Sequence, residues 1–76
     1  MISYKNMRAF VEVAKSNTFA EAAQKLFLSQ PALSSAIKNM ESQLGGQLFI
    51  RSTRRVELSP EGKLFLPKAQ RVLIDY

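Results

Sequence analysis

Seventy-six residues make at most one domain, close to the lower limit for a single hydrophobic core, and 46% apolar residues suffice to build one. Without cysteine or histidine the chain has no disulfide and no thiolate or imidazole metal site, and its six scattered acids do not suggest a carboxylate-only one, so neither catalysis nor a cofactor is expected. Eleven Lys/Arg give a net charge of +5, which favours an anionic partner, while no apolar run approaches the roughly 20 residues that span a bilayer.

The first periodic segment runs from about Tyr4 to Ser16. Met7, Phe10, Val11 and Ala14 follow the i, i+3, i+4, i+7 rule and share one helix face. Asn17-Thr18 ends it and starts the next. Thr18-Phe19-Ala20-Glu21 fits a capping box, so a short second helix is expected over about Phe19 to Leu26, with Ala22, Ala23 and Leu26 inward. Small alanines there let another helix approach closely. Phe27-Leu28 is a short link. Ser29 or Gln30 then caps a third helix over 30–44, with Pro31 in its first turn and Gly45-Gly46 as its stop. Two β-prone runs, Leu48–Arg51 and Val56–Ser59, flank a polar basic turn and read as a hairpin. Ser59-Pro60 opens a last helix, in which Leu64, Phe65, Leu66, Ala69, Val72, Leu73 and Tyr76 are too many apolar groups for a solvated terminus. Pro67 should kink or loosen that helix near Lys63.

The third helix carries the functional signal. On a helical wheel Leu33, Ile37, Met40 and Leu44 cluster within about 60° and form the core side. Pro31, Ser34, Ser35, Lys38 and Ser42 lie on or near the opposite arc, which holds no acid, and Glu41 lies near the core side. Serine is a mediocre helix former, so an exposed serine face needs a reason. A DNA major groove supplies one: small hydroxyls let the backbone sit deep, and Ser, Gln and Lys bond base edges or phosphates. Two helices, a tight link and an exposed polar face make a helix-turn-helix. The amides after Thr18 add donors for a phosphate, and Arg51, Thr53, Arg54 and Arg55 sit where a wing grips the backbone or the minor groove. The residues alone leave the bland readings open, in which the serines are only solvated and the arginines only protect a strand edge.

These residues carry a resemblance. The run FxxVAxxxTFxxAAxxLxxSQPALSxxIxxxExxLGxxLFxR, from Phe10 to Arg51, closely resembles the N-terminal domain of LysR-type transcriptional regulators. The likeness extends over essentially the whole chain, through LSPEG and LPKAQRVL. It implies a mostly α winged helix-turn-helix with a three-helix core, a β-hairpin wing and a C-terminal linker helix. Residues 1–58 would be the DNA-binding domain and 59–76 the linker and dimerisation helix of a longer, cytoplasmic bacterial regulator. The small-molecule effector would bind a further domain that the chain does not include.

Carried over, Gln30, Pro31, Ser34, Ser35 and Lys38 face the bases, and Thr18, Ser29, Arg51, Thr53 and Arg54 hold phosphates, with Arg55 beside them in the wing. Leu64, Phe65, Ala69, Val72, Leu73 and Tyr76 would form the seam of a homodimer on an interrupted palindrome. Two departures stand out. Position 35 often holds a longer polar or basic side chain, whereas Ser35 reaches less far, which favours readout through water. Gly45-Gly46 stands where one glycine is usual, which would loosen the approach to the wing. The rival reading is a winged-helix interaction module that pairs with protein through 60–76 and no longer reads DNA.

Overall fold

A computed structural model describes residues 2–51 and 54–75, which form four helices in chain order: α1 (Tyr4–Lys15), α2 (Phe19–Leu26), α3 (Gln30–Leu44) and α4 (Pro60–Asp75). Side-chain caps set the starts of these helices. The Ser3 hydroxyl accepts from the Asn6 amide at 3.1 Å, Thr18 from Glu21 at 3.1 Å, Ser29 from Ala32 at 3.2 Å and Ser59 from Gly62 at 3.0 Å. Each satisfies an amide that the helix itself leaves without an acceptor. Glu21 reaches back as well, but past the cap itself: it accepts from the Asn17 amide at 2.9 Å, one residue before the Thr18 amide that a capping box uses.

The stops are less uniform. α3 ends at Gly45, whose φ of 78° is the left-handed conformation that glycine adopts freely. Gly46 has no positive φ, so only the first of the two glycines makes the turn. α2 ends in the same left-handed way at Phe27, with φ 58° and ψ 40°, and Leu28 closes the turn by donating to Ala23 at 2.9 Å. A bulky side chain is rare in that region. Phe27 is also 95% exposed.

α1 packs against α2, α3 and α4, and this central position explains its burial. Phe10 and Val11 are buried as the periodicity predicts, and Ala9 and Val13 are buried as well, because neighbours cover more than one face. Met7 is only partly buried, and so is Ala14. Leu33, Ile37 and Met40 of α3 are fully buried. Leu44 is not: it is exposed, at the edge of an open groove that it lines with Leu48, Leu64 and Phe65. Phe10 meets Phe49 and Phe65, each at 5.4 Å between ring centres, and Phe49 meets Phe19 edge-on at 5.5 Å. Tilted pairs of this kind contribute about 0.5–1.5 kcal/mol each beyond area burial.

The expected hairpin is reduced to its root. Phe49 and Leu58 form one antiparallel bridge, with Ile50 N–H donating to Glu57 C=O at 2.8 Å and Ser59 N–H to Leu48 C=O at 3.0 Å. No strand forms among the described residues. The reason is visible at Val56, whose amide donates to Asn17 C=O at 2.9 Å and so ties the second arm to the α1–α2 corner instead of to a longer ladder. Thr53 lies outside the described residues.

α4 runs unbroken through Pro67, which is exposed. Its inner face belongs to the same core as α1–α3: Ala69 is fully buried, and Phe65 and Leu73 are half-buried against the core. Ala69 is therefore spent inside one chain and cannot line a dimer seam, and Phe65 and Leu73 are largely committed in the same way. Leu64 and Val72 remain exposed, together with Ile74, while Tyr76 lies outside the described residues.

Candidate nucleic-acid interface

Three pieces of chain converge beside the start of α3. The Ser29 cap and Pro31 in the first turn fix where the helix begins, so Gln30 and Ser34 fall one turn apart on its flank. The Thr18 cap sets the start of α2 next to them. The Phe49–Leu58 bridge then brings the basic segment alongside. Together they line a groove of about 320 Å³ to which Thr18, Gln30, Ser34, Arg51, Arg54 and Arg55 all contribute. Pro31, Ser35 and Lys38 lie outside this groove, exposed on the free face of α3, as does Ser29 at its tip. Ala20, which sequence reasoning did not single out, lines the α2 side, and its small side chain leaves the groove open there.

Arg51 has partners within the chain. Its guanidinium pairs with Glu41 of α3 and lies 5.8 Å over the ring of Phe19. The Glu41 side chain is only 11% exposed, and its other oxygen accepts the Leu48 amide at 2.8 Å. Arg51, Arg54 and Arg55 are all exposed and line the groove, where Glu57 adds a negative charge. Lys25, on α2, is drawn toward Glu12 and Glu21, at 3.9 Å from each. Sequence reasoning missed Glu41 as a partner. The available signal was its position: an acid on the core flank of an apolar helix requires a cation.

Among the described residues no group of three acids, histidines or cysteines could hold a metal, and no helix is long and apolar enough to cross a membrane. Short caps, a tight left-handed turn between α2 and α3, a polar face on α3 and a basic arm beside it define a helix-turn-helix DNA-binding fold.

Comparison with known proteins agrees. The pattern described as "Bacterial regulatory helix-turn-helix protein, lysR family" matches residues 4–63. The regulator CitR of Bacillus subtilis (strain 168) is 40% identical over 75 residues, covering 99% of this chain and 26% of CitR. XapR of Escherichia coli (strain K12) is 45% identical over 71 residues, covering 93% of this chain and 24% of XapR. Among solved structures, a Corynebacterium glutamicum OxyR C206 mutant superposes with a TM-score of 0.94 at 41% identity, over 99% of this chain and 24% of that one. A complex of the BenM DNA-binding domain with benA site 1 DNA superposes with a TM-score of 0.92 at 40% identity, over 96% and 85% of the two chains.

The chain belongs to the LysR family, as a helix-turn-helix DNA-binding domain of its transcriptional regulators. It spans about a quarter of the length of these curated relatives.

Proposed function

We propose that α3 enters the major groove of operator DNA and that the basic arm holds the adjacent backbone or minor groove. Gln30, Pro31, Ser34, Ser35 and Lys38 read base edges. Thr18, Ser29, Thr53, Arg54 and Arg55 hold phosphates. The observation that carries this reading is the single groove in which the start of α2, the first turns of α3 and the two arginines meet. The BenM domain similar to this chain was solved on DNA, which supports the same mode.

The active unit is a homodimer within a longer bacterial regulator, whose effector acts on a further domain. The exposed side of α4, at Leu64 and Val72, supplies the contact between copies. Two recognition helices then meet half-sites about 34 Å apart, or a multiple of that, on an interrupted palindrome.

Fluorescence anisotropy on a selected palindrome and a scrambled duplex, from about 50 to 300 mM salt, tests the reading. Tighter binding to the palindrome with a steep salt slope is expected. Equal binding to both duplexes would refute sequence reading and leave only a basic domain on a polyanion.

A further inference from the structure

We propose that Glu41 is a positioning residue for DNA binding, one that sets the wing against the recognition helix, and that Arg51 serves it instead of a phosphate. The inference rests on the DNA-reading function above and deepens it.

Both oxygens of the Glu41 carboxylate are used. One takes the Leu48 amide at 2.8 Å and the other the Arg51 guanidinium, so a single α3 side chain holds the first arm of the wing at two points three residues apart. Arg51 in turn covers Phe19, at the start of α2, and Phe19 packs edge-on against Phe49 at the root of the wing. The three walls of the groove are thereby joined through one ion pair. The first arm needs such a tie, since among the described residues the wing has one antiparallel bridge and the Val56–Asn17 hydrogen bond anchors only the second arm. A short ladder leaves the direction of an arm soft, and side-chain anchors must fix it. Arg54 and Arg55 follow Arg51 by three and four residues and precede Val56, so the Arg51 anchor and the Val56–Asn17 hydrogen bond together set where their charges stand relative to Gln30 and Ser34. Binding that engages helix and wing at once gains from having that spacing set in advance.

The sign of one substitution separates this from a direct phosphate role. Glu41→Gln removes a negative charge and releases Arg51. If Arg51 contacted DNA, or if charge alone mattered, the variant would bind tighter or unchanged. Positioning requires weaker binding despite the added positive charge, by about fivefold or more, and the loss should nearly vanish in an Arg54→Ala, Arg55→Ala background. Arg51→Lys keeps the charge but not the planar fork or the stack on Phe19, and should weaken binding as well.

The experiment measures palindrome affinity for the parent, Glu41→Gln, Arg51→Lys and the wing-deficient backgrounds. Amide exchange is followed at Ile50 and Ser59 in the free proteins. Weaker binding in both single variants, with faster exchange at those two amides and unchanged exchange in the centre of α1, supports the proposal. Parent-like affinity in either single variant, an undiminished loss in the wing-deficient background, or unchanged exchange at Ile50 and Ser59 overturns it. A parent that fails to prefer the palindrome refutes the DNA reading by itself, and the exchange data then still decide whether Glu41 holds the wing.

Discussion

Gly62 is predicted to be irreplaceable on packing grounds, and alanine is the test. It sits in the first turn of α4, buried where that helix crosses the root of the wing. An added Cβ would overlap the Leu48 carbonyl oxygen, and would stand 3.1 Å from the Leu48 carbonyl carbon and 3.0 Å from a Leu58 methyl. The obstacle is backbone, and it is pinned, because the same carbonyl accepts from Ser59 N–H at 3.0 Å. Carbon–oxygen contacts settle at about 3.3 Å, so α4 and the Leu48 backbone must separate by roughly 1 Å. Overpacking typically costs about 1–3 kcal/mol, and a fixed backbone places this case at the upper end. Alanine returns about 1 kcal/mol of helix propensity over glycine. The net loss is about 2 kcal/mol, a large share of the stability of a small domain, and corresponds to a fall in melting temperature of roughly 8–16 °C. Urea unfolding followed by circular dichroism reads it directly. An alanine variant as stable as the parent, or more stable, would refute the close approach and leave only the propensity gain.

Other expectations divide by role. Arg54→Ala should lower affinity for palindromic and scrambled DNA about equally and reduce the salt slope by about 1, measured by anisotropy. Gln30→Ala and Ser34→Ala should instead change which base is preferred, by about 1–3 kcal/mol per lost contact in a panel of single-base operator variants, and an unchanged preference would remove them from the reading face. Phe27→Asn should raise stability by up to about 1 kcal/mol in denaturant unfolding, because asparagine tolerates the left-handed conformation and an exposed ring gives up no packing. Leu64→Glu should leave the fold intact and abolish dimers in analytical ultracentrifugation, whereas Ala69→Glu should unfold the domain, since Ala69 is fully buried.

Much of the fold was legible because local chemistry marks it. Thr18, Ser29 and Ser59 cap the helices that the sequence predicts, Pro31 and Gly45 bracket α3, and Leu33, Ile37 and Met40 of the predicted stripe are buried, Leu44 being the exception. Six of the expected DNA-facing residues share one groove. The misses are all tertiary. A wheel places Leu44 with the core but does not show that the groove it lines stays open. Periodicity marks Phe65, Ala69 and Leu73 as apolar but not whether they meet α1 or a second copy. Two β-prone runs predict a hairpin, but nothing local announces that Val56 would donate to Asn17. Glu41 and Arg51 lie ten residues apart across a left-handed turn, beyond any helical or strand spacing.

The shared ring of Phe10 has a practical consequence for anyone recombining this domain with others. Phe10 meets both Phe49 and Phe65, so the core runs across the position near Ser59 where the family resemblance implies a boundary. A chimera spliced at that point would split an aromatic cluster between its parents, and mismatched volumes would fall against the buried rings of Phe10 and Phe49. A graft intended to exchange operator preference while keeping a foreign partner helix does better to carry α4 along with α1–α3, and to change only its outward positions.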